Sequence, residues 1–424
     1  MAKIQKIIAY EILDSSGFPA LFGRLICDNG IEVEASVSSS SFSHKFSAYH
    51  LKDNDQKRFF GKGMLQAVYY INNLIAPKIY GVELKKHEAI ERWLIRADGT
   101  KNKQILGANT TLLISYLLAK AASKDLCLPL YVYLNNFYTQ ITSEKIEIKK
   151  IPTPVFNLIS GGKHSENTID FQEFEIIPSS RFSFSQSLQM GVEIFHTLKR
   201  IIISKGAIPS LGMEGGFTPL LSSNLDALEL IKETVKQKNI SLGVDIFFGI
   251  DIFASYFYKN NHFIIKDKSK PQTKEEFFNF LKFVIKNYPI LLLEDPSSFD
   301  DFDYWQYLSS NLSEEIYLVA DELVSGNKER LIQLINKKAA SAIVVKPSEI
   351  GTLLEIMEFI ALAKKNNLTP IISHISSETN ETIVSDLAVA VQAELIKFGA
   401  PSRGERVVKY NRLWEIEREI NKEI

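Results

Sequence analysis

The sequence predicts an α/β protein in which a closed β/α barrel follows a smaller α+β region at the amino terminus. The barrel is predicted from six short apolar runs in the second half of the chain, each of which leads into a charged or ionisable residue. These residues are Asp251, Glu294, Asp321, Lys346, His374 and Lys397. The last five follow one another at intervals of 23 to 28 residues, which suits one strand, one helix and their loops. Buried parallel strands consist of continuous Val, Ile and Leu runs because helices cover both faces of the sheet.

The first forty residues predict a three-stranded antiparallel sheet. Apolar and polar residues alternate over 3–13, 21–28 and 30–37, and Gly17 marks the first turn. A period of two is typical of strands that bury one face and expose the other. The segment therefore reads as a meander rather than as part of the barrel.

Helices are predicted between this sheet and the barrel. Apolar positions recur with helical spacing over 57–78, 84–95 and 108–124. The last of these is the most hydrophobic, and we expect it to lie buried between other elements. These helices complete an α+β region at the amino terminus.

A domain boundary is predicted near residue 138. At 424 residues the chain exceeds one ordinary hydrophobic core, so two domains are expected. The stretch 139–150 is polar and lacks helical periodicity, and Pro152 and Pro154 follow it. The predicted domains are therefore 1–138, the α+β region, and 139–424, the barrel.

Two helices of the barrel are predicted with their ends. The stretch 325–340 has apolar residues at helical spacing after a candidate cap at Ser325. The stretch 352–367 repeats the pattern and ends in a basic turn, as the helix dipole favours. Both lie between predicted strands, as the alternation of a β/α barrel requires.

The composition excludes several functional classes. Hydrophobic residues make up 45% of the chain and charged residues 23%, values typical of a folded globular protein. A net charge of −1 gives no electrostatic basis for binding nucleic acid or acidic lipid. No apolar run approaches the length of a transmembrane helix, so no membrane span is expected.

Cysteine and histidine usage indicates a reducing compartment. The two cysteines, Cys27 and Cys127, provide no disulfide framework, and the seven histidines do not occur at zinc-ligand spacing. The opening residues lack the apolar core of a signal peptide. We therefore expect a cytoplasmic protein.

The residues after the predicted strands form a candidate site for a divalent cation and acid–base chemistry. In a closed β/α barrel these side chains point into the mouth where the chemistry takes place. Asp251, Glu294 and Asp321 offer hard oxygen ligands, which select Mg²⁺ or Mn²⁺ over Zn²⁺. Lys346 and Lys397 follow strands on the other side of the mouth. A nearby cation and a second lysine would lower the pKa of each and make it a competent base.

Two glycine-containing segments supply further candidates. The segment 160–174 places His164 beyond a glycine pair and Glu173 at the end of a strand, and 212–217 places Glu214 between glycines. Neither segment has the basic residue and helix start of a phosphate loop. Taken alone, each is typical of an ordinary turn.

Four segments, in order along the chain, resemble enolases. They are FFGKG at 59–63, LGANTTLLISYLLAKAAS at 106–123, LPLYVYL at 128–134 and RGERVVKYNRLWEIE at 403–417. The resemblance implies a modified eight-fold β/α barrel of the TIM type with an amino-terminal α+β cap domain. It also implies Mg²⁺-dependent dehydration of 2-phosphoglycerate to phosphoenolpyruvate in glycolysis, by a homodimeric cytoplasmic lyase.

The resemblance assigns roles to individual residues. Asp251, Glu294 and Asp321 match the ligands of the first Mg²⁺. Lys346 matches the base that removes the C2 proton, and Glu214 matches the acid that helps the C3 hydroxyl leave, which calls for a raised pKa. Five further residues match substrate contacts: His164, Glu173, His374, Ser376 and Lys397.

Two departures from the enolase pattern bear on activity. The mobile loop of the family gives a serine oxygen to a second Mg²⁺, and the aligned stretch 39–44 has Phe42 at that position. Ile375 stands where the family has the arginine that grips the substrate phosphate. An isoleucine cannot replace two charge-assisted hydrogen bonds. We therefore expect one intact Mg²⁺ site, a doubtful second site and weak activity.

Three functions remain open at this point. The first is a working enolase in which other residues, such as His44 and Lys45, hold the phosphate. The second is a Mg²⁺-dependent lyase that acts on a related hydroxy acid without a phosphate. The third is a catalytically inactive, enolase-like binding protein. The retained acid–base set favours an enzyme, a carbon–oxygen lyase.

Overall fold

A three-stranded antiparallel sheet opens the chain, as the alternating pattern predicts. The computed structural model describes residues 1–38, 45–165, 169–312, 314 and 316–422. The strands are β1 (Ile4–Leu13), β2 (Pro19–Cys27) and β3 (Glu32–Val37), paired in that order. This arrangement confirms the predicted meander.

Among the described residues, five α-helices lie between the sheet and the barrel. They are α1 (Leu65–Tyr69), α2 (Ala76–Ile79), α3 (His87–Asp98), α4 (Ala108–Asp125) and α5 (Leu130–Thr142). A π-helical stretch joins α1 to α2, so the helix predicted over 57–78 is composite. Pro77 explains the irregularity, because it has no backbone N–H to donate to the preceding turn. Helix α4 is buried along most of its length, as its hydrophobicity predicts.

Helix α5 crosses the position at which the sequence analysis divides the chain. It ends at Thr142, and residues 143–152 form neither helix nor strand. The first strand of the barrel begins at Thr153. The division at residue 138 stays a prediction.

Eight strands close the barrel. In chain order they are β4 (Thr153–Ser160), β5 (Glu173–Pro178), β6 (Ile246–Asp251), β9 (Ile290–Glu294), β10 (Tyr317–Ala320), β11 (Ala342–Val345), β12 (Thr369–Ser373) and β13 (Leu395–Lys397). A short hairpin, β7 (Tyr258–Lys259) and β8 (His262–Phe263), lies outside the barrel. Strand β5 is antiparallel to both neighbours, and the other pairs are parallel. This confirms a modified β/α barrel preceded by an α+β cap.

The barrel helices have defined beginnings. They are α6 (Phe184–Ser204), α7 (Asn224–Gln237), α8 (Lys274–Asn287), α9 (Phe302–Leu312), α10 (Lys328–Lys337), α11 (Leu353–Lys365), α12 (Ile383–Ala390) and α13 (Gly404–Ile420). Capping boxes at Ser183, Ser223 and Thr273 start α6, α7 and α8. In the part of the chain that the structure describes, no helix has the length and hydrophobicity needed to cross a bilayer.

The predicted cap at Ser325 is wrong. Helix α10 begins after Asn327, whose side-chain oxygen accepts hydrogen bonds from the backbone N–H groups of Glu329 and Arg330. The Ser325 hydroxyl instead donates to the carbonyl of Glu322. Asparagine and serine are comparable caps, so the sequence pattern alone does not separate the two positions.

The direction of β5 decides how Glu173 reaches the mouth of the barrel. The expectation that Glu173 ends a strand is wrong, because it is the first residue of β5. Because β5 runs opposite to its neighbours β4 and β6, it begins at the edge of the barrel where those two strands end. Glu173 consequently pairs in register with Asp251, the last residue of β6.

An apolar plug fills the other end of the barrel. It consists of Val155, Ile177, Leu292, Val319, Ala342, Val344, Ile371 and Leu395, all buried. Such a barrel is a packed core rather than a pore. The plug therefore leaves the opposite end of the barrel, where the parallel strands end, for the polar side chains of the site.

The amino-terminal region is attached to the barrel through the start of α11. Glu91 of α3 is fully buried and accepts a hydrogen bond from the backbone N–H of Leu354 at 2.6 Å. Ser115 of α4 accepts one from Leu353 at 2.9 Å and donates to Glu91. These bonds satisfy the first two N–H groups of α11, which have no partner within the helix.

Glu91→Ala should therefore destabilise the whole fold. The substitution leaves His87, Ser115 and the start of α11 without their shared acceptor, and we expect the free energy of unfolding to fall by about 3 kcal/mol. Urea unfolding followed by circular dichroism measures this. Glu88→Ala, on the more exposed face of the same helix, is the matched control and should cost less than about 1 kcal/mol. Equal losses would contradict the attachment role.

Candidate active site

All ten predicted site residues line one cavity at the mouth of the barrel. Its volume is about 70 Å³. The ten are His164, Glu173, Glu214, Asp251, Glu294, Asp321, Lys346, His374, Ser376 and Lys397. Residues that come from seven strand ends and two loops therefore meet in one place.

The ammonium group of Lys397 is the centre of the acidic half of the cavity. Its Nζ lies 2.9 Å from Glu173 Oε2, 2.9 Å from Glu294 Oε2 and 3.3 Å from Asp251 Oδ2. The Oε1 atom of a fourth carboxylate, Glu175, lies deeper in the barrel at 3.3 Å from Lys397 Nζ. Burial alone would lower the pKa of Lys397, but these acidic neighbours raise it well above its usual range.

Lys346 is held by a carboxylate in the same way. Its ammonium forms an ion pair with Asp321, and Glu349 lies 3.9 Å away. Burial would lower the pKa of Lys346, but Asp321 and Glu349 raise it well above its usual range. The expected lowering of both lysine pKa values supposes a bound cation and stays a prediction, because each lysine here is paired with acidic groups that raise its pKa.

The crowded carboxylates resist ionisation. Burial raises the pKa of Asp251 to about 6, although Lys397 opposes the shift, and it raises the pKa of Glu294 well above its usual range. Gln172 Nε2 donates to Asp251 Oδ2 at 2.9 Å, while the buried Asp251 Oδ1 has no hydrogen-bond partner among the described residues. An added positive charge would relieve this crowding.

Asp295, which the sequence analysis did not select, fixes the backbone that carries Asp321. Its carboxylate is buried and accepts hydrogen bonds from the backbone N–H groups of Asp321 at 3.0 Å and Glu322 at 2.8 Å. Its own backbone has a φ of 44°, which is unusual for a non-glycine residue. The two hydrogen bonds hold the residue after β10 in place.

The opposite half of the cavity is built around Glu214. Its two oxygens lie 2.9 Å from His374 Nε2 and 2.9 Å from Ser376 Oγ, and His164 Nε2 is 3.7 Å away. Arg406 donates to His374 Nδ1, and a guanidinium group has no acceptor, so Nδ1 must be the unprotonated nitrogen. The proton of the neutral imidazole is then on Nε2, which donates to Glu214.

The pKa values in this half differ from the expectation. Burial lowers the pKa of His374 to about 3, consistent with a neutral ring. Burial would raise the pKa of Glu214, but His374 and His164 lower it well below its usual range. The expected raised pKa of Glu214 is therefore wrong in this arrangement. Burial would lower the pKa of His164, but Glu214 and Glu173 raise it.

Glu173 connects the two halves. Its Oε1 accepts from Asn157 Nδ2 at 2.6 Å and lies 3.2 Å from His164 Nδ1, while Oε2 faces Lys397. It is fully buried. Glu173 thus links the two halves through an ion pair with Lys397 on one side and a contact with His164 on the other.

The predicted cation ligands can bind Mg²⁺ only if Lys346 and Lys397 release the ligand oxygens that they now contact. Among the described residues, the ligand atoms that lie within 4.8 Å of one another belong to His164, Glu173 and Glu214, not to the predicted triad. The triad oxygens face Lys397 and Lys346 instead. Their hard oxygen donors and the unpartnered Asp251 Oδ1 nevertheless suit a hard cation.

Ile375 stands where the enolase resemblance implies a phosphate-binding arginine. Its side chain is half-buried and lines the cavity. Arg406 lies behind it, fully buried, and donates to the carbonyls of Ile375 at 2.7 Å and Ser376 at 2.5 Å. Both terminal nitrogens of Arg406 are thus engaged within the protein, whereas its Nε has no hydrogen-bond partner among the described residues. The other departure, Phe42, lies outside the described residues.

Several contributors were missed by the sequence analysis. They are Lys163, Gln172, Phe253 and Glu349 in the cavity lining, and Glu175, Asp295 and Arg406 behind it. Strand periodicity would have identified Glu175, because it stands two residues after Glu173 and shares its face. No local pattern marks Arg406, whose contacts come from distant parts of the chain.

Two family descriptions match the chain. Residues 4–134 match "Enolase, N-terminal domain", and residues 148–424 match "Enolase, C-terminal TIM barrel domain". Together these matches cover nearly the entire sequence. They agree with the cap-and-barrel architecture.

The raised pKa of His164 predicts a pH-dependent contribution to stability. A group whose pKa is higher in the folded state stabilises fully below its unfolded pKa, about 6.5 for histidine, and loses this effect as pH rises through the folded pKa. The difference in free energy of unfolding between wild type and His164→Gln should thus be largest below about pH 6.5 and shrink above it. Urea unfolding at several pH values measures the difference. The exposed His262→Gln is the control, and a difference for His164→Gln that grows with pH would contradict the assignment.

Proposed function

The chain belongs to the enolase family, and we propose that it dehydrates 2-phosphoglycerate to phosphoenolpyruvate with Mg²⁺, weakly because the phosphate is poorly held. The observation that carries this proposal is the meeting of Lys346 and Lys397 with Glu214 across one buried cavity. A base and an acid on opposite sides of a substrate are what an elimination requires. The homodimer, the cytoplasmic location and the glycolytic role belong to this proposal through the family alone.

The cation site of the proposal consists of Asp251, Glu294 and Asp321. A Mg²⁺ ion held there would supply positive charge beside the substrate carboxylate, where a second negative charge develops when the C2 proton leaves. Lys397, at the centre of the same cluster, is placed to contact that carboxylate. Lys346 becomes a base only when Asp321 no longer holds its ammonium charge.

The acid of the proposal is the Glu214 group. Glu214 must carry a proton to help the C3 hydroxyl leave as water, yet its pKa is lowered in this arrangement. The neighbouring His164 has a raised pKa, and its Nε2 lies 3.7 Å from Glu214. We assign His164 the role of supplying the proton. Ser376 and His374 orient the Glu214 carboxyl.

Ile375 favours a second candidate function. An isoleucine side chain at the cavity wall suits a substrate without a phosphate at this position. The second candidate is therefore a Mg²⁺-dependent lyase acting on a related hydroxy acid. A catalytically inactive binding protein is the third outcome, although such a role needs neither lysine.

The proposed activity is tested by measuring phosphoenolpyruvate formation. Wild-type protein with 2-phosphoglycerate and Mg²⁺ should give turnover in a coupled assay, at least a hundredfold below an ordinary enolase. Lys346→Ala should remove this turnover, because no other group replaces the base. Ser348→Ala, beside Lys346 but outside the proposed acid–base set, is the matched control and should retain turnover. Absence of turnover in wild type would contradict the proposed reaction and leave the other two candidates.

Ile375→Arg should improve the hold on phosphate. A guanidinium group forms two charge-assisted hydrogen bonds with a phosphate, so we expect KM for 2-phosphoglycerate to fall at least tenfold, about 1.4 kcal/mol. Steady-state kinetics measures it. Ile375→Met, of similar size and without charge, is the control and should leave KM unchanged. An unchanged KM in Ile375→Arg would show that the phosphate is held elsewhere, with Lys45 as the first residue to test.

A further inference from the structure

Glu175 is a buried carboxylate to which the proposed mechanism gives no role. It lies on β5, is fully buried, and shares its strand face with Glu173 and Ile177. Glu173 borders the cavity and Ile177 belongs to the apolar plug. Glu175 therefore forms the floor of the site, between the plug and the Lys397 cluster.

The residues around Glu175 leave space for its carboxylate. Its partner in register on β6 is Gly249, and a Cβ atom there would lie 2.5 Å from Glu175 Oε2. The other oxygen, Oε1, lies 3.3 Å from Lys397 Nζ. No donor among the described residues meets either oxygen with hydrogen-bond geometry, so the Lys397 ion pair is the main compensation for burying this group.

Lys397 and a bound cation would share acidic partners, and Glu175 gives Lys397 a separate one. Three of its four acidic neighbours face the cavity, and two of them, Asp251 and Glu294, are the proposed cation ligands. Without Glu175, Lys397 would depend on Glu173 and on these two ligands, and it would compete with the cation for the ligand oxygens. Glu175 lies below, outside the proposed ligand set, and its oxygen stays available to Lys397.

We propose that Glu175 is a positioning residue that anchors Lys397 from the barrel floor and thereby leaves Asp251 and Glu294 free to bind a divalent cation. The anchor is an acceptor oxygen at a defined place, and Gly249 provides the space for it. The inference rests on the proposed cation site and not on turnover.

Calorimetric titration of metal-free, full-length protein with Mg²⁺ alone tests the anchor. Glu175→Met removes the acceptor at similar length and should raise the Kd for Mg²⁺ at least tenfold. Gly249→Ala keeps the carboxyl but displaces it, and should raise the Kd similarly. Glu175→Gln keeps an acceptor oxygen without the charge and should stay within threefold of wild type. Asp321→Asn, which alters a proposed ligand, sets the scale for loss of the site.

The opposite ranking would overturn the inference. If Glu175 acted only through its charge, Glu175→Gln would weaken Mg²⁺ binding as much as Glu175→Met, and Gly249→Ala would resemble wild type. Asp386→Asn alters another buried carboxylate, paired with Arg412 outside the cavity, and should leave the Kd within twofold. Thermal melts confirm that each variant is folded.

The remaining outcomes separate the two proposals. Equal Kd values in wild type, Glu175→Met and Gly249→Ala would refute the anchor and leave the cation site standing. Absence of Mg²⁺ binding in wild type would refute the cation site and the anchor with it. If wild type binds Mg²⁺ and the variants follow the predicted ranking of Kd values, but wild type shows no turnover, only the proposed reaction is refuted.

Discussion

The crowding of carboxylates around two lysines is the constraint on which the rest of the site depends. Lys397 pairs with four buried acidic groups and Lys346 with Asp321, so both lysines help to hold the site together. Burying charges is costly unless they are paired, and the pairs here are close. The same pairs occupy the oxygens of the proposed cation ligands. In the proposed function, a divalent cation would consequently take the place of lysine ammonium groups beside these oxygens.

The fold supports this exchange at some distance from the lysines. The antiparallel β5 brings Glu173 to the mouth and Glu175 to the floor, on one face of one strand. Asp295 holds the backbone of Asp321, and Arg406 holds the loop that carries His374. These supporting groups are buried, and their bonds join parts of the chain that are distant in sequence. A change in any of them would alter the site without touching its lining.

Sequence patterns predict the barrel strands better than the electrostatics of the site. Strand ends at Asp251, Glu294 and Lys346 were predicted because apolar runs and their spacing are local features. The cap of α10 was misplaced because Ser325 and Asn327 are equivalent by residue type. The pKa directions of Lys346 and Glu214 depend on which charged groups face each other across the cavity. That information is absent from residue spacing.

The sequence by itself determined the family, the cap-and-barrel architecture and the residues that end the barrel strands. It also determined that Ile375 places no charged group at that position of the cavity wall, because the charge of a side chain is read directly from the residue type. Only the tertiary structure decided which lysine pairs with which carboxylate, and that Glu175 lies beneath Lys397 with Gly249 making room for it. The reason is physical. Residue identity and periodicity are local along the chain, whereas charge pairing and burial depend on distances that exist only after the barrel closes.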